Sequence, residues 1–120
     1  MNNQNLKKNT QIGKLLIFEG LDGSGKSTQI SLLKDYLKKL GHEVVTTREP
    51  GGTNIAENLR DIMLYNDMDG ITETLIAFAA RSDHVKEFII PQLLLGKWVL
   101  CDRFTDSTTA YQGAGRGVSM

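Results

Sequence analysis

Residues 15–28 read "LLIFEGLDGSGKST". Leu15 to Phe18 form an unbroken apolar run that ends at Gly20, a glycine-rich loop follows, and Lys26-Ser27-Thr28 opens a new segment. The run lacks the alternation of a half-buried strand, and so predicts a strand covered on both faces, as in parallel sheets. Beyond the loop, Ile30, Leu33, Leu37 and Leu40 recur at helical spacing, and Gly41 stands where a C-terminal cap belongs. Gly20 to Ser27 fits G-x-x-x-x-G-K-[ST] at every specified position, between the strand and helix that the pattern requires. Glycines let backbone N–H groups approach phosphate oxygens closely, and the helix adds its positive N-terminal end. Lys26 is placed to neutralise the outer phosphates, and the Ser27 hydroxyl to hold Mg²⁺. The stretch predicts a nucleotide-phosphate loop made by Gly20, Leu21, Asp22, Gly23, Ser24, Gly25, Lys26, Ser27 and Thr28.

Downstream, "HEVVTTREP" predicts a second strand stopped by Pro50-Gly51-Gly52. Thr53 or Asn54 then caps a helix with Ile55, Leu59, Ile62 and Met63 on its apolar face. After the turn "NDMDG", a third helix begins near Thr72 and carries Leu75, Ile76, Phe78, Ala79, Val85, Phe88 and Ile89, with a kink at Pro91. "KWVLCD" predicts a third buried strand with Trp98, Val99 and Leu100 as core candidates, and "DSTTAYQGAGRG" begins another element. The order β-α-β-α-α-β-(α) predicts an α/β fold, a parallel sheet with helices on both faces. Ligands of such sheets sit beyond the carboxyl ends of the strands, where the polar, glycine-rich loops of this chain all fall. Residues 1–12 read as a disordered polar tail and 13–120 as one domain.

Lys+Arg and Asp+Glu both number 14, so the formal net charge is zero. Nothing in that balance attracts nucleic acid or an anionic membrane, and any anion must bind at a local site. Cys101 is the one cysteine, which excludes an intrachain disulfide and a cysteine-cluster metal site, and is compatible with a reducing cytoplasm. "FIIPQLLLGKWVL" is too short and too interrupted to span a membrane, and the N-terminus lacks a signal-peptide core. His42 and His84 have no ligand partners at metal spacing and read as surface residues. Lys34, Lys38 and Lys39 read as a solvated helix face, and Cys101 as packing.

Two further strand ends carry candidates. In "TREPGGT", Arg48 suits a bidentate phosphate contact with Glu49 orienting it or a neighbouring base, and the alternative is a solvated ion pair before a Pro-Gly turn. In "CDRFTDSTTAYQG", Asp102 is placed to help hold Mg²⁺ and Arg103 to hold an anionic substrate, and the alternative is a strand-end salt bridge. Together with "EGLDGSGKST" and "AARSDH", in this order and spacing, these blocks resemble thymidylate (dTMP) kinases of the P-loop nucleoside-monophosphate kinase family, from about Lys14 to Gly117. The resemblance implies transfer of the ATP γ-phosphate to dTMP with Mg²⁺. It implies that Lys26, Asp22 and Arg48 serve catalysis, with Asp22 near the acceptor's sugar and phosphate. Arg48 and Arg103 would clamp the dTMP phosphate, with Glu49 in support. Arg81 would hydrogen-bond thymine, Ser107, Thr108 and Gln112 would line the thymidine pocket, and Tyr111 would crowd the sugar 2′ position. Ser27 and Asp102 would hold Mg²⁺.

The sequence departs from the family at two positions. Where many members carry a thymine-stacking aromatic residue this chain has Ala77, so the stacking role moves to Phe78, whose alternative is a core position. Where some members place an arginine in the phosphate loop it has Gly23, which resembles members that supply that arginine from a mobile lid. The resemblance further implies a homodimer, with the apolar third helix as a candidate interface. Relative to the family the chain reads as an N-terminal portion without the lid, so residues 1–120 alone are expected to be poorly soluble or dimer-dependent, and inactive. The rivals are another P-loop kinase, such as a deoxynucleoside kinase, whose hydroxyl acceptor has no need of two arginines for a second phosphate, and a non-catalytic nucleotide-binding module.

Overall fold

The computed structural model describes residues 11–20 and 24–104, with Phe104 described by its backbone alone. The elements run β1 (Leu15–Gly20), α1 (Lys26–Lys39), β2 (Val44–Glu49), α2 (Asn54–Tyr65), α3 (Gly70–His84), a π-helical turn (Val85–Ile89), α4 (Ile90–Leu94) and β3 (Trp98–Phe104). The strands form one parallel sheet in the order β1-β3-β2. The predicted order of strands and helices holds for every described element.

One face of the sheet carries Leu16, Phe18, Trp98, Leu100 and Val44, and α1 closes it with Ile30, Leu33 and Leu37. This is the expected helical face without Leu40, which follows the last helical residue and lies exposed. The opposite face carries Val99 and Cys101, both at or near zero exposure, and α3 reaches it through His84. The unbroken apolar run of β1 predicts burial on both faces, but Leu15 is 38% and Ile17 44% exposed. Among the described residues β1 is an edge strand, and only its Leu16–Phe18 face meets a helix. The strand covered on both faces is β3, which is central.

The helix ends follow local chemistry. Thr53 caps α2, its hydroxyl accepting from the Ala56 N–H at 3.0 Å, and Asp69 caps α3 by accepting from the Thr72 N–H at 2.7 Å. That cap starts α3 at Gly70, ahead of Thr72. On α2 the deeply buried residue is Ala56, with Leu59 and Met63 half-buried on the same side, while Ile55 and Ile62 of the expected face are exposed. Phe78 is 60% exposed, so among the described residues it is not a core position. Pro91 breaks the third helix differently from a simple kink. The residues before it widen into a π turn, which relieves the clash between the proline ring and the carbonyl one turn back. No helix among the described residues is long and apolar enough to cross a membrane.

Candidate active site

At the carboxyl end of the sheet the strands stop in register: Phe18, Asp102 and Arg48 form one rung, and Glu19, Arg103 and Glu49 the next. Successive side chains leave a strand on opposite faces, so these two rungs divide the polar residues into two groups.

The first group shares the face of α1. Lys26, 7% exposed, places Nζ 2.7 Å from Asp102 Oδ1 and donates to the Gly20 carbonyl at 2.8 Å and the Arg103 carbonyl at 3.3 Å. Ser27, Arg48 and Asp102 line one cleft of about 590 Å³, with Ser31, Lys34 and Phe88 further along it. Lys34 is therefore part of the cleft, while Lys38 and Lys39 are exposed as expected. Arg48 does not pair with Glu49. Its Nε donates to Glu57 Oε2 at 3.1 Å, and the Gly52 N–H donates to the same oxygen at 2.7 Å. The hydrogen bond from Arg48, reinforced by the one from Gly52, holds the Glu57 carboxyl down at about 2, and Glu57 in turn raises Arg48. A hydroxyl and a carboxylate on one cleft are the hard oxygen donors that suit Mg²⁺, so Ser27 and Asp102 fit the ion that the sequence implies.

The second group lies on the opposite face and is organised around one carboxylate. Glu49 is 5% exposed. Its Oε1 accepts from Arg81 Nε at 2.6 Å and lies 3.4 Å from Arg103 Nη2, while its Oε2 lies 3.2 Å from His84 Nδ1. Arg103 Nη1 also donates to Glu19 Oε1 at 2.7 Å, so the arginine bridges the outer strands from the central one. Burial alone would raise the Glu49 carboxyl. Hydrogen bonds from His84 and Arg81 and the charges of Arg81 and Arg103 outweigh it and hold the group at about 2. His84 is the largest correction to the sequence reading: it is fully buried, with Nε2 2.7 Å from Thr47 Oγ1. His42 is exposed, as expected, and tilts against Trp98 with ring centroids 5.0 Å apart.

The two glycines of "TREPGGT" follow from this packing. At Gly51, φ is 138° and a Cβ would lie 2.0 Å from Glu57 Oε2; at Gly52, φ is 94° and a Cβ would lie 2.3 Å from His84 Nε2. One glycine admits the carboxylate that holds Arg48, and the other admits the imidazole that meets Glu49.

Of the expected site residues, the structure brings Lys26, Ser27, Asp102 and Arg48 together, and Glu49, Arg81 and Arg103 together. It sets Arg48 and Arg103 on opposite faces, each held by glutamate. Gly20, Ser24, Gly25 and Thr28 fall at the end of β1 and the start of α1. Leu21, Asp22, Gly23, Ser107, Thr108, Tyr111 and Gln112 lie outside the described residues. The sequence reading missed Glu19, Glu57 and His84. Glu57 had a signal, an acidic residue in the first turn of a helix directly after a Gly-Gly pair, whereas Glu19 and His84 had none short of the strand register.

Comparison with known proteins places this chain in a family. The family model for thymidylate kinase matches residues 18–120. A thymidylate kinase of Polaromonas sp. is 56% identical over 108 residues, covering 90% of this chain and 48% of the relative. One from Pelotomaculum thermopropionicum is 54% identical over 111 residues, covering 90% of this chain and 51% of the relative. The crystal structure of thymidylate kinase from Ehrlichia chaffeensis superposes with a TM-score of 0.73 at 45% identity, covering 88% of this chain and 62% of that one. The chain thus spans about half the length of the curated relatives it matches. With the phosphate-loop strand and helix, the parallel sheet and the family match in agreement, the chain belongs to the thymidylate kinase family.

Proposed function

We propose that the protein to which this chain contributes transfers the γ-phosphate of ATP to dTMP, giving dTDP and ADP. The observation that carries the reading is the pairing of two preorganised cationic groups at one end of the sheet. Lys26, beside Ser27 and Asp102, suits the donor phosphates, and Arg103 with Arg81 suits a second anion carrying a base. Two anions react in line only if cations surround both. The acceptor is itself a phosphate, so its oxygen is already a nucleophile and needs no protein base. It forms the new bond to the γ-phosphorus as the bond to the β–γ bridging oxygen breaks. Lys26 offsets charge on the donor phosphates, Arg48 and Arg103 hold the acceptor phosphate from either side, and Arg81 reads the base. Mg²⁺ held by Ser27 and Asp102 would neutralise donor charge when bound. Exposed Phe78, one helical turn from Arg81, suits stacking on thymine. Asp22, the backbone of the loop from Gly20 to Thr28, and Ser107, Thr108, Tyr111 and Gln112 keep their expected roles in the same reading.

A homodimer belongs to this reading too, supported by Ile71 and Leu75, exposed one turn apart on α3, as does a cytoplasmic location beside the nucleotide substrates. The test is a coupled assay of the chain at the full length of its relatives, comparing dTMP with thymidine. Turnover with dTMP alone supports the reading, turnover with thymidine alone makes it a deoxynucleoside kinase, and nucleotide binding without turnover makes it a binding module.

A further inference from the structure

We propose that His84 is a positioning residue for the acceptor arginines: its imidazole fixes one oxygen of Glu49 so that the other holds Arg81 and Arg103. The inference rests on the dTMP reading above and adds a residue that touches neither nucleotide.

Glu49 divides its two oxygens between different partners. Oε1 faces both arginines, and Oε2 faces His84 Nδ1. Rotation about the last bond of a glutamate is soft, so a carboxylate held on one side only can turn away from the groups it orients. An ionised carboxylate only accepts, so Nδ1 carries the hydrogen, and in the neutral ring Nε2 accepts from the Thr47 hydroxyl. Thr47 and Glu49 both belong to β2, two residues apart on one face, so the ring is clamped against a single rigid strand. The chain leaves the ring no alternative seat. His84 closes α3, is fully buried, and stacks on Phe88 with centroids 5.9 Å apart. At Gly52 a Cβ would overlap the ring, 2.3 Å from both Cδ2 and Nε2.

The cluster invites a second reading, because ligand atoms of Glu49, His84 and Cys101 lie within 4.8 Å of one another. Burial and the negative charge of Glu49 push the Cys101 thiol up to about 11, so it stays protonated. Both imidazole nitrogens are engaged, and Glu49 is already shared by His84 and two arginines. These atoms form a hydrogen-bonded seat, and a metal would have to break most of it.

The test separates the two ring nitrogens. An Asn side chain puts its amide nitrogen near where Nδ1 stands, and Gln near where Nε2 stands. In the full-length protein, His84→Asn should keep the dTMP KM within about threefold, while His84→Gln and His84→Phe should raise it about tenfold or more with the ATP KM unmoved. Equal dTMP KM in all variants, with only the thermal midpoint lowered, would make His84 structural and overturn the inference. A parallel rise in the ATP KM would overturn it too. Should the variants not fold, ¹⁵N NMR of the unsubstituted protein decides: the His84 Nδ1 resonance should move on saturation with dTMP and stay fixed with ADP. A resonance indifferent to dTMP counts against the inference. Absence of dTMP binding by the unsubstituted protein would instead remove the functional reading on which it rests.

Discussion

On the α1 face, Ser27, Asp102 and Arg48 line an open cleft, and two cations there hold different carboxylates: Lys26 has Asp102 and Arg48 has Glu57. On the opposite face, Arg81 and Arg103 share a single carboxylate, Glu49, which is buried and backed by His84. The first arrangement is a set of separate pairs, so removing one cation should leave the others in place. The second is a network with a common centre, and disturbance at the centre should reach every member. Experiments that ask whether the two faces fail independently test this contrast directly.

The largest effect is expected at Lys26. Lys26→Ala removes the charge nearest the donor phosphates and should lower kcat by ~10²–10³-fold, the range for loss of one preorganised electrostatic contact. Because Lys26 meets Arg103 at its backbone carbonyl and not at the guanidinium that Glu49 holds, dTMP affinity should stay within about threefold. Unchanged turnover would remove the phosphate-loop assignment, and a large loss of dTMP affinity would join the two faces.

Arg103→Ala acts on the network. Loss of a charge-assisted contact in a partly desolvated site is worth ~2–4 kcal/mol, so dTMP affinity should fall by tens- to several-hundred-fold while ATP affinity holds. Titration calorimetry with each nucleotide checks this. Equal losses would mean that Arg103 serves the donor or the fold.

Acid tests the centre of the network. The Glu49 carboxyl lies at about 2 in the folded chain against an ordinary 4.5, so between those values the unfolded chain takes up the proton first. Stability from this group is therefore present above about pH 4.5 and is lost as pH falls towards 2, up to ~3 kcal/mol in all. Glu57 is depressed to a similar value, but its side chain is 36% exposed, so screening leaves it ~1 kcal/mol or less. Urea unfolding across this range should show Glu49→Gln less stable than the parent at neutral pH and nearly equal to it near pH 2. A parallel offset at every pH would show that Glu49 acts by packing alone.

The contrast also explains what could be read in advance. On the α1 face Lys26 and Ser27 are written in one contiguous motif, where each residue type follows from the phosphate chemistry, and Arg48 and Asp102 stand at strand ends, so these four and the parallel sheet were legible. The Glu49 face is assembled from β1, β2, α3 and β3, and its logic lies in register. That Glu19, Arg103 and Glu49 share a rung depends on strand order and offset, which spacing along the chain does not encode. His84 was misread for the same reason. A lone histidine at a helix end looks solvated until the strand that buries it is known. The exposure of Leu15 and Ile17 on β1 was equally hidden, because an apolar run states what a strand is suited to and not which neighbours the described residues provide.

The smallest expected effect is at the joint between the two faces. Thr53 caps α2, which carries Glu57 to Arg48, and its hydroxyl also donates to Asp83 on α3, next to His84. Thr53→Ala removes both bonds and should cost ~1 kcal/mol of stability, the usual value of an N-cap, with Thr53→Ser restoring most of it. The Gly52 N–H bond to Glu57 and the Thr47 bond to His84 do not pass through Thr53, so each face keeps its own anchor. Affinities for ATP and dTMP should therefore change less than about twofold. A tenfold loss for either nucleotide, measured where the variant is still fully folded, would show that the joint between α2 and α3 couples the faces and that the two groups are one network.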